Sequence, residues 1–136
     1  MIGLDTNVLL RWLSADEGQS GRSESQVRLV EEAIIGAREE CFVNAVVVAE
    51  TIWVVANVFK RPAETQIEIV ERLLYSENVK VSDRQAVELA LEEFANAPGG
   101  GFADQLIGAI NSEAGCKTTL TFDKRAARSK HFTALA

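Results

Sequence analysis

The sequence predicts an α/β fold in which a central parallel sheet of four to five strands is covered by helices. Three observations predict it. Apolar runs of strand length, Met1–Asp5, Cys41–Ala45, Asn78–Val81 and Thr118–Phe122, alternate along the chain with segments whose apolar residues recur at helical spacing. That alternation is the pattern of a parallel sheet with helices on both faces. At 136 residues the chain forms one domain, residues 1–136, long enough to bury a sizeable core.

Each element follows from its local pattern. Met1 to Leu4 reads as a buried first strand closed by Asp5, and Thr6 to Ser14 as a short helix with Leu9, Leu10 and Leu13 on one face. A polar hinge, Asp16 to Gly21, leads to a helix over Ser23 to Arg38 carrying Val27, Val30, Ile34 and Ile35 inward. After the second strand, Val46 to Phe59 is a third helix. Pro62 suits the start of a fourth, Ala63 to Tyr75, buried through Ile67, Val70, Leu73 and Leu74. Ser82 is placed to cap a helix running to Asn96. Phe102 to Gly115 is the next helix, with Phe102, Leu106, Ile107 and Ile110 as its core stripe. Lys124 to Ser129 forms a short basic helix, and His131 to Leu135 a further edge strand.

Composition narrows the function. The hydrophobic share of 47% and charged share of 25% are those of a soluble globular protein. Cys41 and Cys116 lack CxxC spacing and have no histidine neighbours, so two buried, reduced thiols are expected rather than zinc or redox chemistry. No basic leader precedes the first strand, and Val46 to Phe59 falls short of the roughly 20 residues a membrane span needs, so a cytoplasmic protein is expected. The net charge of −6 argues against a non-specific nucleic-acid coat protein.

Four carboxylates then stand out. Asp5 ends the first strand, and Glu50 is the one acid in the apolar Val46–Phe59 stretch. Asp104 opens a helix after Pro98-Gly99-Gly100-Gly101, and Asp123 follows the Thr118–Phe122 strand. The crevice beyond the carboxyl ends of parallel strands is the usual ligand site in such sheets. Carboxylates gathered there without a basic partner repel one another, and a divalent cation such as Mg²⁺ or Mn²⁺ resolves the repulsion. Asp5, Asp104 and Asp123 each suit a helix cap as well as a ligand role. Glu50 lies beyond the first turn of its helix, where burial of an unpaired carboxylate costs several kcal/mol, which favours a metal-lined cleft over pairing with a distant arginine. Gly108, one turn after Asp104, leaves clearance either for a ligand or for close helix packing.

Four blocks carry a family resemblance: Met1-Ile2-Gly3-Leu4-Asp5-Thr6-Asn7-Val8-Leu9, Val47-Val48-Ala49-Glu50-Thr51, Phe102-Ala103-Asp104-Gln105-Leu106-Ile107 and Leu120-Thr121-Phe122-Asp123. In order, spacing and total length they resemble the PIN-domain ribonucleases, in particular the VapC-type toxins of toxin–antitoxin pairs. The resemblance implies a three-layer fold with a five-stranded parallel sheet, a homodimer, and endonucleolytic cleavage of RNA by one or two Mg²⁺ or Mn²⁺ ions. It implies a VapB-like antitoxin that docks in the cleft. Carried over by position, Asp5, Glu50, Asp104 and Asp123 become catalytic metal ligands, while Asn7 and Thr121 hold Asp5 and Asp123 in place. A water activated by the metal would be the nucleophile, leaving a 5′-phosphate.

Lys124, Arg125, Arg128 and Lys130 form the densest basic cluster, directly beyond Asp123, and suit either RNA phosphates or a solvated helix face. Lys60, Arg61 and Arg84 are weaker candidates. Trp12 and Trp53 fit core or interface packing better than stacking on bases. A haloacid-dehalogenase phosphatase would need an acid where Asn7 stands, and a receiver domain a strand-borne lysine that has no candidate here. The remaining alternatives are a PIN-like module that binds RNA or protein without cutting, and a PIN nuclease of RNA processing rather than a toxin.

Overall fold

The computed structural model describes residues 1–13, 24–36, 38–96 and 100–136, without the side chains of residues 24, 25, 27 and 35. The expected hinge at 16–21 and the inward positions of Val27 and Ile35 lie outside what is described. The chain divides into two compact units, Met1–Ser82 and Asp83–Ala136.

The first unit runs β1 (Ile2–Gly3), α1 (Thr6–Trp12), α2 (Glu24–Glu31) with a π turn over Glu32–Gly36, β2 (Cys41–Val43), α3 (Ala45–Asn57), α4 (Ala63–Tyr75) and β3 (Val79–Val81). Its three strands pair in parallel in the order β1-β2-β3, with Ile2 opposite Cys41 and Phe42 opposite Lys80. Parallel neighbours need crossovers, and the helices provide them. α1 packs on α2 and α3, α3 on α4, and α4 on β3. Leu9, Ile34, Val43, Val48, Ile52, Val55, Val70 and Leu73 form the core. Full burial of such side chains contributes about 1.5–3 kcal/mol each.

Two sequence expectations change here. The first strand is not buried: β1 is the edge of its sheet, Met1 and Ile2 are exposed, and burial begins at Leu4. Ser82 does not cap the helix that follows it. Its hydroxyl accepts the Ala45 amide at 2.9 Å, joining Asn44, whose Oδ1 accepts Val47 N at 2.9 Å, in satisfying the first amides of α3. Unpaired N-terminal amides take whichever oxygen the fold presents, and the end of β3 presents that of Ser82.

The second unit runs α5 (Arg84–Asn96), α6 (Phe102–Glu113), β4 (Thr119–Thr121), a 3₁₀ turn (Ala126–Arg128) and β5 (Phe132–Ala134). β4 and β5 pair in parallel, Thr119 opposite Phe132. The five expected strands are found, but among the described residues they form parallel sheets of three and two strands rather than the one sheet of four to five expected; the α/β class with helices flanking a parallel sheet is borne out. α5 packs on α6, with the Phe94 and Phe102 rings edge to face at 6.0 Å. The buried stripe of α6 is Phe102, Gln105, Leu106 and Ala109, while Ile107 is 50% exposed. Its phase turns Gly108 to a place where a Cβ would strike Phe132 and His131.

Among the described residues no helix is long and apolar enough to cross a membrane. Both cysteines are free, but only Cys41 is buried; Cys116 is exposed, contrary to the expectation for it. Burial, reinforced by the nearby Glu39 charge, pushes the Cys41 thiol above its ordinary pKa. Since the thiolate is the reactive form, iodoacetamide on the native protein is expected to modify Cys116 and to reach Cys41 only after denaturation. Equal labelling of both under native conditions, read by peptide mass, would contradict this placement.

Candidate metal-binding carboxylates

The first unit brings Asp5 and Glu50 to neighbouring anchor points. Asp5 is the N-cap of α1, its Oδ1 accepting Val8 N at 3.0 Å. The next residue, Thr6, donates its hydroxyl to Glu50 Oε1. Glu50 is not buried, which corrects the reasoning from the apolar stretch. The buried face of α3 is Val48, Thr51, Ile52 and Val55. Glu50 projects from the opposite face with Val46 and Trp53, which are 76% and 55% exposed. A hydrophobic run longer than one helical face has to show part of itself to solvent, and here that part carries the acid. Trp53 is accordingly not a core residue, whereas Trp12 is half-buried.

The second unit places the turns of Asp104 and Asp123 on either side of Gly100. Asp104 Oδ2 accepts Gly101 N at 3.2 Å at the start of α6. Asp123 Oδ1 accepts Arg125 N at 2.8 Å and Ala126 N at 3.3 Å. Gly100 joins the two: a side chain there would meet Asp104 Oδ2 at 3.1 Å and Ala126 Cα at 3.4 Å. Its φ of +64° is also one that glycine adopts without strain. Gly100, within the glycine run before Asp104, therefore has a backbone reason. Gly108 does not serve the carboxylate: a Cβ would lie 2.7 Å from the Phe132 ring and 3.0 Å from His131 Cβ. Close packing, not ligand clearance, is its role.

All four acids share one feature. Each has one oxygen fixed by a protein donor, and the other has no protein hydrogen bond among the described residues. None forms an ion pair with a described cation; Met1–Glu39, Arg84–Glu88 and Lys130–Glu93 pair elsewhere. Among the described residues no group of three or more His, Cys, Asp or Glu side chains is placed to hold a metal ion. By donor chemistry each unit offers two hard, anionic oxygens, the type Mg²⁺ and Mn²⁺ take.

The supporting residues differ in part from those expected. Thr121 Oγ1 accepts the Asp123 amide at 2.9 Å, steadying that turn. Asn7 makes no side-chain hydrogen bond to Asp5; it contributes its carbonyl to Arg11 Nη1 at 3.0 Å. Thr6 was not singled out, although Thr6, Leu9, Leu10 and Leu13 fall at i, i+3, i+4 and i+7, which turns Thr6 inward with the core leucines. Lys124, Arg125 and Arg128 are exposed, while Lys130 is engaged by Glu93 at 3.0 Å.

No curated protein and no solved structure matches the chain at a significant level. The model of the PIN domain family matches residues 2–131, which spans both units. The chain therefore belongs to the PIN domain family, whose members are in general metal-dependent nucleases.

Proposed function

We propose that the chain is a single-domain, metal-dependent endoribonuclease acting in the cytoplasm, as the homodimeric toxin of a toxin–antitoxin pair with a VapB-like antitoxin. The observation that carries the nuclease reading is the common state of Asp5, Glu50, Asp104 and Asp123 among the described residues, each held at one oxygen and open at the other, with no described cation paired to any of them. Mg²⁺ or Mn²⁺ is the ion of choice for such donors. Bound there, it supplies a water of lowered pKa and offsets charge developing on the phosphoryl oxygens. The protein's part is positional. Backbone amides fix the three aspartates, Thr6 fixes Glu50, and Thr121 fixes the turn of Asp123.

Lys124, Arg125 and Arg128, exposed beside Asp123, are the phosphate contacts of this reading. Replacing Lys124 and Arg128 together by alanine should weaken RNA binding uniformly across sequences. The slope of log affinity against log salt should shrink by about one per lost phosphate contact. An unchanged slope in filter binding would return these residues to the role of a solvated surface.

The deciding experiment is RNA cleavage by purified, antitoxin-free protein with Mg²⁺ or Mn²⁺, beside EDTA. Metal-dependent cleavage leaving 5′-phosphate and 3′-hydroxyl ends supports the reading. A 2′,3′-cyclic phosphate product contradicts it, because that product uses the RNA 2′-oxygen as nucleophile. Absence of cleavage across several structured RNAs would favour the module that binds without cutting. Growth arrest on expression, relieved by the product of a small adjacent gene, separates the toxin from a nuclease of RNA processing.

A further inference from the structure

Resting on the nuclease reading, the geometry points to Thr6 as a positioning residue that presents the Glu50 carboxylate to the metal beside Asp5. Glu50 projects from the exposed face of α3 on a side chain with three rotatable torsions, so the helix alone leaves its carboxylate free to sample solvent. Its protein hydrogen bond comes from Thr6, across 44 residues of sequence, through Oε1. Thr6 is itself fixed: it is buried at 9% exposure, is the first residue of α1, and is β-branched, with a restricted χ1. It also follows Asp5 directly, whose Oδ1 is anchored three residues on at Val8 N. One rigid turn therefore sets both carboxylates, Asp5 through its backbone cap and Glu50 through the hydroxyl. Neither anchor uses Glu50 Oε2 or Asp5 Oδ2. An outer partner that orients a metal ligand is typically worth 10- to 100-fold in metal affinity.

The test is Mn²⁺ titration of the metal-free full chain by calorimetry, comparing wild type, Thr6→Val, Thr6→Ser and Glu50→Gln. Thr6→Val keeps the shape and branching while removing the donor, and is expected to weaken Mn²⁺ binding about 10-fold or more. Thr6→Ser, which keeps the hydroxyl, should restore affinity to near the wild-type value. In the Glu50→Gln background, Thr6→Val should have no further effect on Mn²⁺ affinity, because the carboxylate it orients is gone. A purely structural bond between α1 and α3 would lower the melting temperature of Thr6→Val without moving Mn²⁺ affinity, and that result overturns the proposal. If Thr6→Val does not fold, Thr6→Ala in both backgrounds supplies the same comparison. Wild-type protein that binds no Mn²⁺ would overturn the metal reading and this proposal together. Wild-type binding that Thr6→Val leaves intact overturns this proposal alone.

Discussion

Asp5→Asn is expected to keep the protein folded and to cut metal-dependent RNA cleavage by more than about 100-fold, beyond the 10- to 100-fold that even outer partners of a ligand are worth. The substitution separates two roles that Asp5 holds at once. As N-cap of α1 it gives Oδ1 to Val8 N at 3.0 Å. Asparagine caps helices about as well as aspartate, whereas alanine at a cap costs about 1 kcal/mol. Asn therefore keeps the cap oxygen while removing the charge that a hard cation needs. Asp5→Ala removes both, so it should be equally inactive and should also melt at a lower temperature. Asp123 supports a parallel comparison, since its Oδ1 accepts two amides. Near-wild-type cleavage by folded Asp5→Asn would mean that Asp5 is a cap and nothing more. Cleavage rates and thermal melts of the two variants decide this together.

That double role explains how much of the site was legible in the sequence. The three aspartates stand out by where they fall, after strands and at helix starts, and those are also the places where caps are needed. Cap and ligand were therefore indistinguishable by position. The structure shows that they need not compete, because a carboxylate has two oxygens and the amides take only one. Glu50 was singled out for a reason that does not hold. An apolar window fixes which residues are hydrophobic, not which face a helix buries, and α3 turns Val48, Thr51, Ile52 and Val55 inward instead. Nothing local marks Thr6 as a partner of Glu50, which lies 44 residues away in sequence. The phase of the leucines in α1 shows only that Thr6 turns inward.

The fold was readable where periodicity and length agree. The limits of α4 at Ala63 and Tyr75 follow from Pro62 and helical apolar spacing, and the five strands from short apolar runs. Misreadings arose where one contact outside the local pattern decided the outcome. Ser82 precedes a helix, yet its hydroxyl goes to Ala45 because the end of β3 holds it beside the start of α3. Ile107 has the right chemistry for the core stripe of α6 and is exposed nonetheless. The stripe is rotated so that Gly108 can face Phe132, and a contact between a glycine and a ring 24 positions later leaves no local signature.

Gly108→Ala is therefore expected to destabilise the protein, against the usual sign for a glycine inside a helix. In an unconstrained helix the change would be favourable by about 0.8–1.0 kcal/mol. Here the new methyl would stand 2.7 Å from Phe132 Cε2, 3.0 Å from His131 Cβ and 3.2 Å from Phe132 Cζ. The ring edge could turn aside, but His131 Cβ moves only with its backbone. That backbone is tied down: its carbonyl accepts Thr119 N at 2.9 Å, and Phe132 N donates to Ser129 O at 3.1 Å. Overpacking of a closed contact costs about 1–3 kcal/mol, and with backbone among the obstructing atoms the upper part of that range applies. The net expectation is a loss of about 1–2 kcal/mol once the propensity gain is subtracted, read as a lower urea midpoint at unchanged slope. Phe132→Leu in the Gly108→Ala background removes the nearest obstruction and should cost less than Phe132→Leu does alone. Because Asp104 lies one turn earlier on the same helix, its Gly101 anchor should survive the substitution. Equal or greater stability of Gly108→Ala would show that the approach of α6 to β5 is slack, and would remove the reason given for the phase of α6.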